Sequence, residues 1–261
     1  MINRILLTFD VEEFDIPQEY GRDIEAQEQI SVTADGLQTV LELLDQLHIT
    51  ATFFTTAHFA LSQPDLMKQV ARKHEVASHG YYHTSFELKD LAKSRQVLEQ
   101  VAGTRVVGFR RPRFAETDCA AIREAGYRYA SSENPIWLPG RYNNLLKPRR
   151  VYRVGELLQI PVSASPYIRF PLFWLAFKNA PLPLVKFFSW QTLVHDGYLN
   201  LLFHPWEFAD ISGYNLPSYV TRHDGRTMSM RLQSYLRWLV GEGQFCQCAD
   251  FEREFPQGDR A

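Results

Sequence analysis

The 261-residue sequence has little cysteine, no marked excess of either charge and no long uninterrupted apolar run. Its three cysteines, Cys119, Cys246 and Cys248, leave at least one unpaired, so a disulfide framework is not indicated. A net charge of −2 gives no broad electrostatic attraction to nucleic acid or to an anionic membrane. We therefore expect no nucleic-acid partner, and nothing in the sequence indicates an oligomeric state.

The sequence also predicts no membrane span and no export signal. The N-terminal residues lack an apolar segment followed by a small-residue cleavage site, so no signal peptide is predicted and a cytoplasmic protein is expected. The most apolar region, residues 167–193, is interrupted by Arg169, Lys178, Lys186 and prolines. Because a membrane span needs about 20 mostly apolar residues, we predict buried helix and loop here and no transmembrane segment, with an interfacial segment as the alternative.

Strand and helix signals alternate along the chain without an internal repeat or an obvious linker, which predicts a single domain over residues 1–261. Apolar runs predict strands at residues 5–9, 51–55, 75–78, 105–109, 127–131, 158–162, 199–204 and 245–249. Apolar periodicity predicts helices at residues 37–47, 65–74, 86–101, 117–126 and 227–240. Repeated βα units imply an α/β fold with parallel strands, and about seven or eight of them favour a barrel over an open sheet, which remains the alternative.

Several helix starts are predicted from capping residues. Ser31, Thr33 and Asp35 are candidate caps before the first helix, Thr117 is one before the fourth, and Gly103 is expected to end the third. The stretch 62–65 resembles a capping box with an early proline.

The stretch 132–155 interrupts this pattern with Asn, Pro, Gly and basic residues. It is expected to be either a solvated loop or a loop that faces substrate.

Polar side chains follow the carboxyl ends of four predicted strands. In parallel α/β barrels this edge is where catalytic groups converge. The residues that share this position are Asp10, Glu12, His79, His83, Arg110 and His204.

Two pairs of these residues, Asp10 with Glu12 and His79 with His83, predict a metal site. His79 and His83 in SHGYYH are four residues apart, so both imidazoles on one helical turn can reach one cation; a surface pair is the alternative. Asp10 and Glu12 in FDVEEF are two apart and point to the same side of a strand, unless the strand ends earlier and they are solvated loop acids. Two histidines and a carboxylate form a common catalytic zinc site, while a second carboxylate can take a proton from water.

Arg110, in GFRRPRF, lies just before Pro112, which marks the end of the strand. Its guanidinium is expected to orient an acidic base by bidentate hydrogen bonding, whereas Arg111 and Arg113 are expected to be exposed.

His204, in NLLFHPWEF, can donate a proton to a leaving amine because imidazole titrates near neutral pH; a structural histidine is the alternative. Trp206 offers either a flat face to a sugar ring or a core side chain. His58 follows the second strand and is a weaker candidate to line the mouth of the barrel.

These motifs, in this order, resemble those of the polysaccharide deacetylase (NodB-homology) family. TFDVEEF resembles its first motif, SHGYYH the second, FRRPRF the third and LLFHPWEF the last, and the similarity spans residues 5–208. The FDVE and HPWE forms resemble the branch linked to exopolysaccharide and lipopolysaccharide modification.

The resemblance implies a distorted (β/α)7-type barrel and a carbohydrate esterase that removes N-acetyl groups from an N-acetylated carbohydrate. It implies a divalent metal, most often Zn²⁺ and otherwise Co²⁺ or Ni²⁺. The roles that it implies are metal ligation by Glu12, His79 and His83, general base for Asp10, partner of that base for Arg110, and general acid for His204.

Further contacts follow from the same resemblance. The backbone N–H of Arg113 becomes a candidate oxyanion donor. Phe114 and Trp206 become candidate contacts to the substrate.

The sequence departs from the family pattern in two places. Val11 occupies the position where many members have a second, metal-binding aspartate, and Glu12 is the replacement. The Asp–Trp pairing that tunes the acid histidine has its nearest match at residues 132–137. A metal-independent amidase on the same scaffold and a catalytically inactive carbohydrate-binding protein are therefore the alternative functions.

Overall fold

The structure, a computed structural model, describes residues 2–140 and 142–255. Its strands are β1 Arg4–Val11, β2 Thr52–Thr55, β3 Glu75–Ser78, β4 Gly108–Phe109, β5 Tyr129–Ala130, β6 Trp137–Leu138, β7 Tyr142–Asn143, β8 Tyr152–Val154, β9 Leu157–Gln159, β10 Tyr198–Phe203 and β11 Gln244–Phe245. Its helices are α1 Ile16–Glu19, α2 Ala26–Leu47, α3 Ala57–Ser62, α4 Pro64–Ala71, α5 Asp90–Ala102, α6 Cys119–Glu124, α7 Trp174–Asn179, α8 Leu182–Asp196, α9 Ser218–Thr221, α10 Gly225–Leu239 and α11 Cys248–Arg253.

The main sheet has the strand order β10-β1-β2-β3-β4-β5-β9-β8, and β11 also pairs with β1. Every pair from β10 to β9 is parallel, and only β8 runs antiparallel to its neighbour. The chain after β9 reaches β10, where the backbone N–H of Ser163 donates to the carbonyl of Asn200 at 2.9 Å. The sheet therefore curls into the predicted distorted (β/α)7-type barrel, and the open-sheet alternative is wrong.

The central position of β1 explains its composition. It pairs with β2 on one side and with β10 on the other, and all of its residues after Arg4 are buried. A strand covered on both faces is a nearly continuous apolar run, as residues 5–9 are apart from Thr8.

Helix α2 begins eleven residues earlier than the predicted start at Leu37, since it opens at Ala26. The expected caps Ser31, Thr33 and Asp35 lie inside it. Thr33 is buried, and its Oγ1 donates to the carbonyl of Glu12 at 2.7 Å. A tertiary contact therefore extends the helix through residues that favour helix starts.

Two other cap predictions are each wrong by one residue, since Gln63 and Asp118 are the caps. Ser62 ends α3 and donates from its Oγ to the carbonyl of His58, so it does not cap α4, which begins at Pro64. Thr117 is replaced as the cap of α6 by Asp118, whose carboxylate accepts two backbone N–H bonds. The predicted stop of α5 at Gly103 is confirmed, with φ of +69° at that residue.

The remaining segments differ from expectation in detail. The strand predicted at 245–249 is cut short because Cys248 begins α11. The stretch 132–155 contains the hairpin of β6 and β7 and then β8.

The apolar region 167–193 forms α7 and α8 as predicted, but α8 is not fully buried. Leu184, Phe187 and Trp190 on α8 are exposed. Within the described part of the chain, no helix has both the length and the apolar character that crossing a bilayer requires.

Candidate metal centre and active site

The strand register brings the ends of the neighbouring strands level. Val11 pairs with Thr55, Thr55 with Ser78, and Ser78 with Phe109. The residues that immediately follow β1, β3, β4 and β10 are Glu12, His79, Arg110 and His204, and all of them are buried at this edge.

Glu12, His79 and His83 form one compact cluster. Oε2 of Glu12 lies 3.2 Å from Nε2 of His79 and 3.1 Å from Nε2 of His83. The three potential ligand atoms all lie within 4.8 Å of one another. The structure therefore brings the three predicted metal ligands together.

The other ring nitrogen of each histidine, Nδ1, already has a hydrogen-bond partner. Nδ1 of His79 lies 3.0 Å from the carbonyl oxygen of Arg110, and Nδ1 of His83 lies 2.7 Å from a carboxylate oxygen of Asp15. Because both oxygens are acceptors, each Nδ1 must donate, and each Nε2 is left to face Glu12. This arrangement orients both rings in the way that partners of metal-binding histidines do.

A divalent cation fits this donor set. A tetrahedral ion with bonds of about 2.1 Å separates its ligand atoms by about 3.4 Å, and two of the separations here are 3.1 and 3.2 Å. Small outward movements of Glu12 would therefore admit an ion. Two imidazoles and one carboxylate leave a fourth position of a tetrahedral site for water or substrate.

His79 and His83 do not lie on a helical turn, contrary to the sequence prediction. They lie in the loop after β3, where Gly80 has φ of +85°. The loop is held by backbone N–H groups of Ala57 and His58, which donate to the carbonyls of Gly80 and Tyr81. The bend stacks the two imidazole rings at 5.9 Å and 17°.

The side chains of the cluster strongly affect one another's pKa values. Burial alone raises the pKa of Glu12, but the surrounding His83, His204 and His79 side chains outweigh it and hold that pKa well below its ordinary value. Burial lowers the pKa of His83, but the charges of Glu12 and Asp15 reverse this and raise it to about 9. Without an ion the site therefore favours an ionised carboxylate and a protonated imidazole, and a cation takes the place of that proton.

Asp10 lies beside the cluster and is held by Arg110. One carboxylate oxygen accepts from Nη1 of Arg110 at 2.6 Å, and the other lies 3.9 Å from Nε2 of His79. The expected bidentate pairing is wrong, because the remaining N–H groups of Arg110 donate to Thr8 and to Ser131. Four hydrogen bonds thus fix the fully buried guanidinium, which in turn fixes one oxygen of Asp10.

His204 approaches the cluster with Nε2, which lies 3.8 Å from Oε1 of Glu12. Its Nδ1 lies 3.1 Å from Oε1 of Glu207, and the backbone N–H of His204 donates to the same oxygen at 2.7 Å. Burial lowers the pKa of His204, but Glu12 and Glu207 outweigh it, so the pKa is raised. Glu207 therefore acts as the acidic partner of His204, a role that the sequence prediction missed although Glu207 is in HPWE.

The segment 132–137 does not take that role. Ser132 accepts a hydrogen bond from the backbone N–H of Arg111, and Trp137 is exposed on β6. The tryptophan that packs edge-on against His204 is Trp174 of α7, with ring centroids 5.5 Å apart. The predicted location of the Asp–Trp pairing is therefore wrong.

Trp206 is buried, with 2% of its surface exposed. Its ring stacks on His204 at 5.0 Å, and its Nε1 donates toward Oε1 of Glu12 at 3.4 Å. Of the two predictions for Trp206, a core side chain describes it better than a sugar-binding one. It packs against His204 and Glu12, and little of its ring is accessible to a sugar.

Arg113 and Phe114 line the mouth of the pocket in a short 3₁₀ turn, and both have positive φ, +58° and +52°. The Arg113 side chain is half exposed and forms ion pairs with Asp15 and Glu19 at 3.3 and 3.4 Å. Left-handed backbone at a non-glycine residue is uncommon and is often a feature of functional sites.

The acids after Glu12 were not predicted as site residues, although the run EEFD lies at a strand end. Asp15 holds His83. Glu13 accepts from the backbone N–H of His83 at 3.3 Å and lies 2.7 Å from Nδ1 of His58. His58 therefore supports the loop of His83 through Glu13.

The pocket above the cluster is narrow, about 70 Å³. Since one water molecule takes a share of about 30 Å³ in the liquid, this space suits an ion and a group as small as acetyl. Its polar lining includes Asp10, Glu12, His79, His83 and His204, together with Asp15, Glu19, Arg111 and Arg113.

Residues 3–130 match the model of a protein family described as polysaccharide deacetylase. This stretch contains Glu12, His79, His83 and Arg110, whereas His204 lies beyond it. The narrower branch suggested by FDVE and HPWE stays a prediction.

A stretch of 63 residues is 32% identical to the peptidoglycan-N-acetylmuramic acid deacetylase PdaA of Bacillus subtilis (strain 168). It covers 24% of this chain and 24% of that relative, so the two proteins match over about a quarter of their lengths.

Two solved structures share the fold over 96% of this chain and 89% of their own. A putative polysaccharide deacetylase from Mycobacterium smegmatis has a TM-score of 0.62 at 19% identity. The Puue allantoinase has a TM-score of 0.63 at 17% identity. At these identities the likeness is one of fold. The family model over residues 3–130, the order of the motifs and the shared barrel agree, and this part of the chain is similar to polysaccharide deacetylases.

Proposed function

We propose that this protein is a metal-dependent hydrolase that removes N-acetyl groups from an N-acetylated carbohydrate. The observation that carries the proposal is the Glu12, His79 and His83 cluster, with Asp10 on one flank and His204 on another. In the reaction, water adds to the acetamide carbonyl, the C–N bond breaks, and acetate and a free amino sugar are released.

The buried donor set fits a divalent cation, for which Zn²⁺ is the first choice and Co²⁺ or Ni²⁺ the next. When bound, such an ion supplies Lewis-acid polarisation of the carbonyl and lowers the pKa of water at the site. Asp10 removes a proton from the attacking water, because its oxygen lies 3.9 Å from Nε2 of His79, beside the ligands. Arg110 keeps Asp10 in place through its hydrogen bond.

His204 donates the proton that the departing nitrogen needs. Its Nδ1 donates to Glu207, so Nε2 is the atom that faces the reaction. The backbone N–H of Arg113 is the candidate donor to the developing oxyanion, and Phe114 is a candidate substrate contact at the rim.

A metal-independent amidase is the second candidate. Val11 favours it, since a buried aliphatic side chain stands where many relatives carry a ligand carboxylate. The fold shared with an allantoinase is consistent with amide chemistry on this scaffold. A single catalytic domain over residues 1–261 and a cytoplasmic location stay predictions.

The test measures acetate release from N-acetylglucosamine oligomers by purified protein after chelation and after addition of zinc, cobalt or nickel. We expect chelation to abolish release and one of the metals to restore it. Asp10→Asn should abolish turnover and leave the metal bound, whereas Asp65→Asn, at an exposed aspartate, should behave like wild type. Turnover that survives chelation supports the amidase, and binding without acetate release under every metal supports an inactive protein.

A further inference from the structure

A groove of about 690 Å³ adjoins the catalytic pocket. Leu138, Phe173 and Leu175 line both spaces, so the groove continues directly from the place where we locate the acetyl group. Its farther walls come from Pro139 and from Ala176 and other residues of α7 and its surroundings. Cavities of this size accommodate whole ligands, so the groove is large enough for a substantial part of a substrate.

Each polar side chain that the described residues contribute to the groove already makes a hydrogen bond or an ion pair. The hydroxyls of Tyr20 and Tyr219 are hydrogen-bonded at 2.5 Å. Nδ2 of Asn179 donates to the carbonyls of Leu175 and Tyr219 at 2.9 and 2.8 Å. The carboxylate of Glu19 forms an ion pair with Arg113. The other described residues that line the groove are apolar, so the groove presents mainly carbon to a ligand.

Such a surface does not match a continued polysaccharide chain. Each sugar unit carries hydroxyls, and burying a hydroxyl without a hydrogen-bond partner is costly. A hydrocarbon chain has no such requirement and gains free energy as its surface leaves water.

We propose that the groove binds the hydrocarbon chain of an amphiphilic substrate whose N-acetylated sugar headgroup lies in the catalytic pocket. The inference rests on the proposed function for the headgroup and on the continuity of the two spaces for the chain. It narrows the substrate class from a polysaccharide to a sugar joined to an alkyl or isoprenyl tail.

The test compares the binding of octyl and methyl N-acetyl-β-D-glucosaminide to the zinc-loaded protein by calorimetry, below the micelle concentration of the octyl compound. Because each buried methylene contributes about 0.8 kcal/mol, partial burial of the octyl chain should tighten binding about tenfold or more. Equal affinities, or no binding of either compound, would overturn the proposal.

Variants of the groove locate the effect. Ala176→Asp places a charge in the groove at the third residue of α7, where helices tolerate an acidic residue, and should remove the preference for octyl. Ala121→Asp is the matched control, because Ala121 is also half-buried and is also the third residue of a six-residue helix, α6. This variant should retain the preference for the octyl glycoside. Pro139→Asp, in an exposed turn, provides a second groove variant if Ala176→Asp melts at a lower temperature. A preference that survives in both groove variants contradicts the assignment.

Acetate release measured on the same samples separates the two proposals. Preferential octyl binding without acetate release supports the groove and contradicts the deacetylase function. Acetate release from both glycosides with equal affinity supports the function and contradicts the groove.

Discussion

Asp15 and the carbonyl of Arg110 determine which nitrogen of each site histidine faces the cluster. A carbonyl or a carboxylate forces Nδ1 to carry the proton, so Nε2 of His79 and of His83 points toward Glu12. The ligand geometry therefore depends on residues that would not touch the ion themselves.

We predict that Asp15→Ala weakens zinc binding by about 10- to 100-fold, the usual effect of removing a partner of a ligand histidine. The free ring of His83 can then rotate away from Glu12. Asp15→Asn should weaken zinc binding less, since its amide oxygen can still accept a hydrogen bond from Nδ1 of His83. Zinc titration by calorimetry measures this, with exposed Asp23→Ala as the control, and equal affinity for wild type and Asp15→Ala would show that Asp15 has no such role.

We predict that Glu207→Gln lowers kcat by about 10- to 100-fold with little change in zinc affinity. The amide oxygen can still accept from Nδ1 of His204. The charge of Glu12 continues to raise the pKa of His204, but the contribution of the Glu207 charge is lost. Steady-state acetate release and zinc titration together measure the effect. An unchanged kcat would remove Glu207 from the proton-donating unit.

At the scale of the elements, the contact between α2 and the turn after β10 positions His204. Gly36 of α2 faces the carbonyl of Pro205, and a Cβ atom at Gly36 would lie 1.9 Å from that oxygen. Only glycine lets the helix approach this closely. Helix α2 thus supports Pro205, the residue that follows the proposed acid His204.

Gly36→Ala is therefore expected to destabilise the protein by about 1 to 3 kcal/mol, the range for overpacking a filled interior. It should also lower kcat, since relief of the collision moves Pro205 and with it His204. Thermal unfolding and acetate release measure the two effects. Gly213→Ala is the control because nothing lies within 4 Å of a Cβ at Gly213, and a Gly36→Ala variant as stable and active as wild type would contradict the contact.

The elements show what sequence can and cannot predict here. The ends of β1, β3, β4 and β10 were predictable to within two residues because apolar runs stop where polar residues begin, and the residues at these ends include Glu12, His79, Arg110 and His204. The start of α2 was not, because Thr33 donates its hydrogen bond to a distant carbonyl. Spacing also misassigned the His-rich loop to a helix, since the sequence does not reveal that Gly80 adopts a left-handed backbone.

The partners of the site residues were harder to predict for the same reason. Asp15 and Glu207 lie near strand ends, but they belong to the site because their carboxylates accept hydrogen bonds from His83 and His204. Sequence gives the position of a carboxylate along the chain and leaves its direction to the fold.

For the whole molecule, we predict a loss of stability in mild acid that involves His74. This side chain is buried at the opposite end of β3 from the site, and its Nδ1 accepts from the backbone N–H of Ala51 at 3.3 Å. Burial lowers its pKa from 6.5 to about 4. The unfolded chain therefore binds this proton at a higher pH than the folded one, so stability is full above pH 6.5 and falls as pH drops toward 4.

The contribution of His74 to this loss is at most about 3 kcal/mol. Denaturant unfolding at a series of pH values measures it. His74→Asn should flatten the slope between pH 6.5 and 4, whereas His48→Asn, at an exposed left-handed position that suits asparagine, should leave it unchanged. Equal slopes in wild type and His74→Asn would contradict the prediction.

The barrel as a whole makes the site by bringing a carboxylate from β1 and two imidazoles from the loop after β3 to one point. The most direct test is a crystal structure grown with cobalt or zinc and phased to locate the ion by its anomalous signal. We predict one strong peak at about 2.1 Å from Oε2 of Glu12 and from Nε2 of both His79 and His83. A peak bound by other residues, or no peak at this cluster under saturating metal, would contradict the account.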